Sequence, residues 1–286
     1  MAALRLLTTM SAAGGGAAGP AAVDFLDRAR AALWGMHIGD ALAMPVHWYY
    51  DLGQLRRDHG SIRGYVAPTD KLPGSIMSLS NTGGGGRGSD AGTIVGDVIL
   101  HGKRKYWSRG ANWHYHRGMA AGENTLELTI SRDCFMASLT EHGMEFKRED
   151  VRDRYIALMT TPDSHNDTYA GTCHRMFFAN RENGLPLDEC PDNDQHNVDT
   201  IDGLVNLPPV IFAAARAGRD TANAAAANAV TLLRRSTALP KYAEVYTGLI
   251  MSVAVGEPLK ETVAAAAKSV GLDVERMARG SDPMVA

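Results

Sequence analysis

Three short stretches carry side chains whose types and spacing could do chemistry. In "ALWGMHIGDALAMPVHWYY" (31–50), Asp40 stands between Gly39 and Ala41 in a run that is otherwise almost wholly apolar or aromatic. A carboxylate buried there must be paired, hydrogen-bonded or bound to a metal, because an isolated buried charge costs several kcal/mol or more. Spacing alone allows a second role, a cap on the backbone of the next turn. In "AAGENTLEL" (120–128), Glu123, Asn124 and Thr125 offer three consecutive oxygen side chains at a helix start. That set suits a hard cation such as Mg²⁺, and it also reads as ordinary capping. In "GGGGRGS" (83–89), Gly85, Gly86 and Gly88 could present backbone N–H groups to a phosphate, with Arg87 as counter-charge. The Lys-Ser/Thr pair of a P-loop is missing and no strand clearly precedes, so a flexible surface loop competes with a phosphate cradle.

Other chemistries are poorly supported. "HYH" (114–116) has alternate spacing that would suit a strand metal site, but no carboxylate or third His stands at a recognisable distance in sequence, which favours packing or surface roles. The polar run "DECPDNDQHNVDTID" fails the calcium-loop template: counted from Asp192, the sixth position is Asn197 rather than Gly and the twelfth is Gly203 rather than Glu. No G-x-S-x-G elbow is present, and Cys134, Cys173 and Cys190 have no local signature of a thiol nucleophile.

The elements that must position these groups are helical. Apolar residues recur at helical spacing from Asp24, a candidate N-cap, to about Leu42, where Pro45 turns the chain. Residues 51–92 are rich in Gly, Pro and Ser and predict a long loop. Helical character returns in 93–101 and 123–143. A further helix is expected in the polar connection 160–200, with Asp167 near its start and Gly184 past its end. From Asp199 the chain reads as helical almost throughout, with Pro208 and Pro209 kinking or dividing it. No alternating run is long enough for a sheet, so the expected class is all-α with long functional loops on one face.

The chain of 286 residues is 45% hydrophobic and can bury a full core. Its net charge of -3 lacks the basic excess of a nucleic-acid binder, and its apolar runs are shorter than the roughly 20 residues a spanning helix needs. Three cysteines without a C-x-x-C pair point to a reducing compartment, with the cytoplasm as the default. Residues 1–22 carry one Arg, several hydroxyl residues and a Gly/Ala linker, and read as a disordered tail or a weak organelle transit peptide.

Taken together, "RARAALWGMHIGDALAMPVHW" and "AGENTLEL" resemble the first two motifs of the ADP-ribosylglycohydrolase family. The family's opening motif reads approximately G-D-A-L-G-x-P-x-E, and Gly39, Asp40, Ala41, Leu42 and Pro45 match it. The helical tail from Ala227 resembles the family's later helices, so the likeness spans roughly residues 28–270. The resemblance implies an orthogonal all-α helical bundle over 23–286. It also implies two Mg²⁺ ions at the bottom of a cleft that takes ADP-ribose, with hydrolysis of the bond at the anomeric carbon. On that reading Asp40, Glu123, Asn124 and Thr125 contribute to the metal site, Asp40 and His47 are catalytic, and the loop around Arg87 meets the diphosphate. The partner is then ADP-ribose or an ADP-ribosylated protein or small molecule.

The chain departs from the family pattern at named positions. The family's T-D-D-T aligns with Gly122, Glu123, Asn124 and Thr125, and the acid closing the first motif aligns with His47. No D-x-D-T follows Asp202. The expectation is a C-terminally incomplete domain or a branch with a rebuilt site, and a non-catalytic nucleotide-binding or crystallin-like structural relative is the alternative. A missing terminal helix would also expose core surface.

Overall fold

A computed structural model of the chain describes residues 20–75, 77, 82–84, 92–108, 110–274 and 276. Gly85, Gly86, Arg87 and Gly88, the expected phosphate contacts, lie outside the described residues, as does most of the expected N-terminal tail. Among the described residues the fold is all-α. The only extended pairings are two isolated bridges, Lys71 with Trp113 and Val95 with Ile99.

Helix α1 (Pro20–Ala43) already includes Pro20, so Asp24 lies within the helix instead of capping it. The helix buries Ala29, Leu33 and Ala41 but leaves Trp34, Ile38 and Leu42 exposed at i, i+4, i+8 spacing on its outer side. A 3₁₀ turn, Met44–Val46, ends it at Pro45.

The expected loop after residue 51 contains a helix, α2 (Leu52–His59). Asp51 starts it: Oδ1 accepts from the Gly53 and Gln54 amides, at 2.7 and 3.2 Å. This N-cap outweighs the poor Gly and polar composition that follows. The expected helix over 93–101 is instead a single wide turn, Ile94–Val98, broken by Gly96 at φ 107°. A Cβ there would sit 2.8 Å from Arg104 Cβ. Gly92 lies directly against Gly83, and the Thr82 hydroxyl donates to Gly92 O.

One helical rod follows: α3 (Leu126–Ile130), a π-helical segment Ser131–Met136, and α4 (Ala137–Glu141). Within it the Ala137 amide reaches back five residues to Arg132 O. Helix α5 (Arg148–Thr160), absent from the sequence reading, buries Val151, Tyr155 and Met159, one stripe at four-residue spacing. Helix α6 (Thr172–Glu182) comes after Asp167 and stops before Gly184 at φ 80°.

Pro208 and Pro209 stand at the first turn of α7 (Leu207–Ala214), where a missing N–H costs nothing, so they open the helix and do not kink it. Helices α8 (Arg219–Val230), α9 (Leu239–Val255) and α10 (Leu259–Ser269) complete the order. Helix α9 packs against α8, α1 and α7. Buried Trp107, Tyr155, Phe135, Phe177, Phe178 and Phe212 anchor the single core, and each large apolar side chain contributes about 1.5–3 kcal/mol by burial. None of the described helices is long and apolar enough to cross a membrane.

Candidate functional site

A cleft of about 690 Å³ opens between the end of α1, the start of α3, the segment before α6 and the loop before α7. Four carboxylates reach its wall, Asp40, Glu127, Asp167 and Asp202, together with His47, His116 and Arg234. The end of α1 delivers Asp40 because Ala41 and Met44 on the adjoining turns are buried and fix its rotation.

Two consecutive amides at the start of α3 hold two of these carboxylates. The Thr125 amide donates to Asp40 Oδ2 at 2.7 Å, and the Leu126 amide donates to Asp167 Oδ2 at 2.8 Å. The Thr125 hydroxyl also donates to Asp40 Oδ1 at 2.7 Å, and the Asn124 side-chain amide donates to Oδ2 at 2.9 Å. Asp40 therefore caps, but it caps a helix start 85 residues away and not its own next turn. Both anions sit where the helix dipole and free N–H groups favour negative charge.

Of the expected metal ligands, Asp40 and Thr125 are together on the cleft, whereas Glu123 and Asn124 are used otherwise. Glu123 accepts from the Ala120 amide and the Asn166 side chain and does not reach the cleft. Asn124 turns its amide nitrogen, a donor, to Asp40 and to His37 O, while its oxygen lies 3.1 Å from His37 Nδ1. It fastens the two segments and offers no ligand atom to the cleft.

His47 heads a relay. Its Nδ1 lies 2.6 Å from His116 Nε2, and His116 Nδ1 lies 2.8 Å from Asp167 Oδ1. The Asp167 carboxylate also accepts from the Tyr169 amide. Burial pushes His47 down to about 3, with His116 and His114 adding to the effect, so the ring is neutral at neutral pH. Burial opposes ionisation of Asp167, but His116 and the amide donors outweigh it and hold the carboxyl at about 2. His114 serves as packing: fully buried, it has Nε2 3.1 Å from Pro45 O and its Nδ1 accepts from the His116 amide.

The rings of Trp48 and His116 flank His47, with centroids at 4.2 and 4.8 Å. Trp48 has φ 60°. A bulky residue in that region stores about 1–3 kcal/mol of strain, held here by edge contacts to Tyr115 and Tyr169.

On the opposite side, Arg234 donates to Asp202 Oδ2 at 2.9 Å, and Thr200 also hydrogen-bonds Asp202. Glu127 Oε1 lies 2.8 Å from His174 Nε2, and His174 Nδ1 lies 2.8 Å from the Tyr155 hydroxyl.

Sequence reasoning missed His116, Asp167, Glu127 and Asp202 as site residues. His116 was visible as half of "HYH", but its carboxylate partner is 51 residues away, and Asp167 resembled a helix start. Glu127 lies inside "AGENTLEL", two residues beyond Thr125, and nothing in its spacing separates it from an ordinary first-turn acid.

The sequence model of the family described as ADP-ribosylglycohydrolase matches residues 21–283, nearly the whole chain. No curated protein and no solved structure matches it.

Proposed function

We propose, from the premise that the chain belongs to the ADP-ribosylglycohydrolase family, that it hydrolyses the glycosidic bond joining ADP-ribose to a protein or small molecule. Family membership supports a hydrolase-like function, and the finer reading rests on the cleft. The observation that carries it is the meeting of Asp40–Thr125 and the His47–His116–Asp167 relay at two adjacent amides.

The donor set fits Mg²⁺. Asp40 Oδ1 and Thr125 Oγ1 are hard oxygens 2.7 Å apart on the cleft wall, and Mg²⁺ commonly takes one or two carboxylates, keeping waters and substrate oxygens in its remaining positions. A wall lined by four carboxylates repels a diphosphate, and Arg234 is already paired with Asp202, so a divalent cation is the counter-charge the substrate requires. When bound, Mg²⁺ would hold ribose hydroxyls and acidify a water.

The chain's own residues handle the proton. The hydrogen bonds support Nδ1–H on both His47 and His116, leaving His47 Nε2 as an acceptor. As His47 takes a proton from the attacking water, its Nδ1 proton can pass to His116, where the new charge meets the buried Asp167 carboxylate. That is the logic of an oriented base, extended by one imidazole. Asp40 positions Thr125, and the Trp48 and Tyr169 rings give the cleft flat apolar surface.

The deciding experiment measures ADP-ribose binding with and without Mg²⁺, then release of ADP-ribose from a modified protein. Mg²⁺-dependent release supports the proposal. Mg²⁺-dependent binding without turnover replaces it with a nucleotide-binding relative, a reading that Asn124 at a position aligned with a family acid favours. Absence of both removes each reading.

A further inference from the structure

We infer that Glu127, Cys173 and His174 form a second, softer metal site on the cleft wall, suited to Zn²⁺ and distinct from the oxygen pair of Asp40 and Thr125. One ligand atom from each of the three residues lies within 4.8 Å of the other two. Glu127 and Cys173 line the cleft, and His174 stands behind them, fully buried. Thiolate, imidazole and carboxylate together match the ligand preferences of Zn²⁺ and would be an odd choice for Mg²⁺.

Three further features point to a ligand. The Tyr155 hydroxyl, 2.8 Å from His174 Nδ1, is the outer-shell partner that fixes a ligating imidazole. Nδ1 is engaged by the phenol, so Nε2 is the nitrogen left to ligate, and the proton it shares with Glu127 Oε1 at 2.8 Å is the one a metal would displace. Gly171 keeps the approach open: a Cβ there would lie 3.8 Å from Glu127 Oε1, 3.8 Å from His174 Cδ2 and 3.9 Å from Cys173 Sγ. Three protein ligands with a fourth position facing a cleft is the open form of a zinc site. On binding, Cys173 and the protonated His174 would each release a proton to solvent, and the metal would replace the direct Glu127–His174 contact.

Co²⁺ substitution reads this site directly. Added to metal-free protein, Co²⁺ is expected to give a thiolate charge-transfer band at one equivalent, displaced by Zn²⁺ and lost in Cys173→Ser. Cys134→Ser, Cys190→Ser and Asp40→Asn should each keep it, the last because the proposed Mg²⁺ site is separate. Tyr155→Phe should weaken Zn²⁺ by roughly 10–100-fold. X-ray absorption on the unmodified zinc-loaded chain should find one sulfur neighbour at about 2.3 Å. An all-oxygen/nitrogen shell, or a charge-transfer band that is absent or persists in Cys173→Ser, overturns the inference without touching the hydrolase proposal.

Discussion

Thr125 grips Asp40 twice, through its backbone amide and its hydroxyl, each at 2.7 Å. This joins α1 to α3 at the point where substrate would enter. Thr125→Ala removes a hydrogen bond to a charged group and should cost about 1.5–3 kcal/mol. Thr125→Ser should recover most of it. Urea unfolding of the three proteins checks the order, and equal stability of the alanine and wild-type chains would contradict it.

Asn124 is the neutral member of this cluster. Asn124→Asp substitutes a second carboxylate for the amide nitrogen now 2.9 Å from Asp40, so like charges face each other. Without added metal the variant should melt below the wild type. With Mg²⁺ it should gain more stability than the wild type does, because two carboxylates then share a cation. Thermal melts across a Mg²⁺ series separate these outcomes, and a variant indifferent to Mg²⁺ would argue against a metal beside Asp40.

The His47–His116–Asp167 relay predicts a kinetic signature. Asp167→Asn and His116→Gln should each lower kcat for ADP-ribose release by roughly 10²–10⁴-fold, the range for losing general-base assistance. KM should rise far less than kcat falls, because both side chains act on the proton through His47, and Asp167→Asn removes one of the four wall carboxylates that would repel a diphosphate. Steady-state kinetics decide between this and a purely structural role, which would affect melting temperature while leaving kcat intact.

Acid should destabilise the fold well before carboxylates titrate. Burial pushes His47 to about 3, and His114 and His165 to about 4, whereas the unfolded groups titrate near 6.5. Below 6.5 the unfolded chain binds protons that the folded chain refuses, so stability falls from about pH 6.5 toward 4. Each such proton contributes about 1.4 kcal/mol per pH unit. Burial would also depress His174, but Cys173, Tyr155 and Glu127 carry it well above 6.5. Its contribution is present below 6.5 and lost as pH rises through the folded value, so it does not reverse the acid-side slope. Asp167 adds stability above about 4 that is lost only as pH falls toward about 2. Unfolding free energies at pH 7, 6, 5 and 4.5 test the slope.

The all-α class and the helices from α8 onward were legible because each combines apolar spacing with a local stop or start, as at Gly256 after α9; the start of α7 was not, because Pro208 and Pro209 read as a kink in a helix opened by Asp199. Asp40 was legible as an anomaly, a carboxylate in an apolar run. Its partners were not, because Thr125 and Asp40 are joined by tertiary packing across 85 residues and not by a repeat. Helix α2 was hidden by glycine and charge in a short segment that a single N-cap stabilises. Helix α5 was hidden because only three of its thirteen residues are buried. Neighbours in sequence also proved poor guides to neighbours in the cleft: Glu123 and Asn124 face other groups, while Glu127 reaches the wall.

The π-helical segment Ser131–Met136 sits between the amides that hold Asp40 and Asp167 and the buried residues Ser138 and Leu139 of α4. A widened turn accommodates one residue more than a regular one, and each residue of a helix advances its direction by about 100°. Deleting one residue there would restore a regular rod and swing the Thr125 and Leu126 amides off their carboxylates while α4 stayed seated. The wide turn thus works as a phase setting: it lets one continuous helix obey the spacing of the core at one end and the bearing of the cleft at the other.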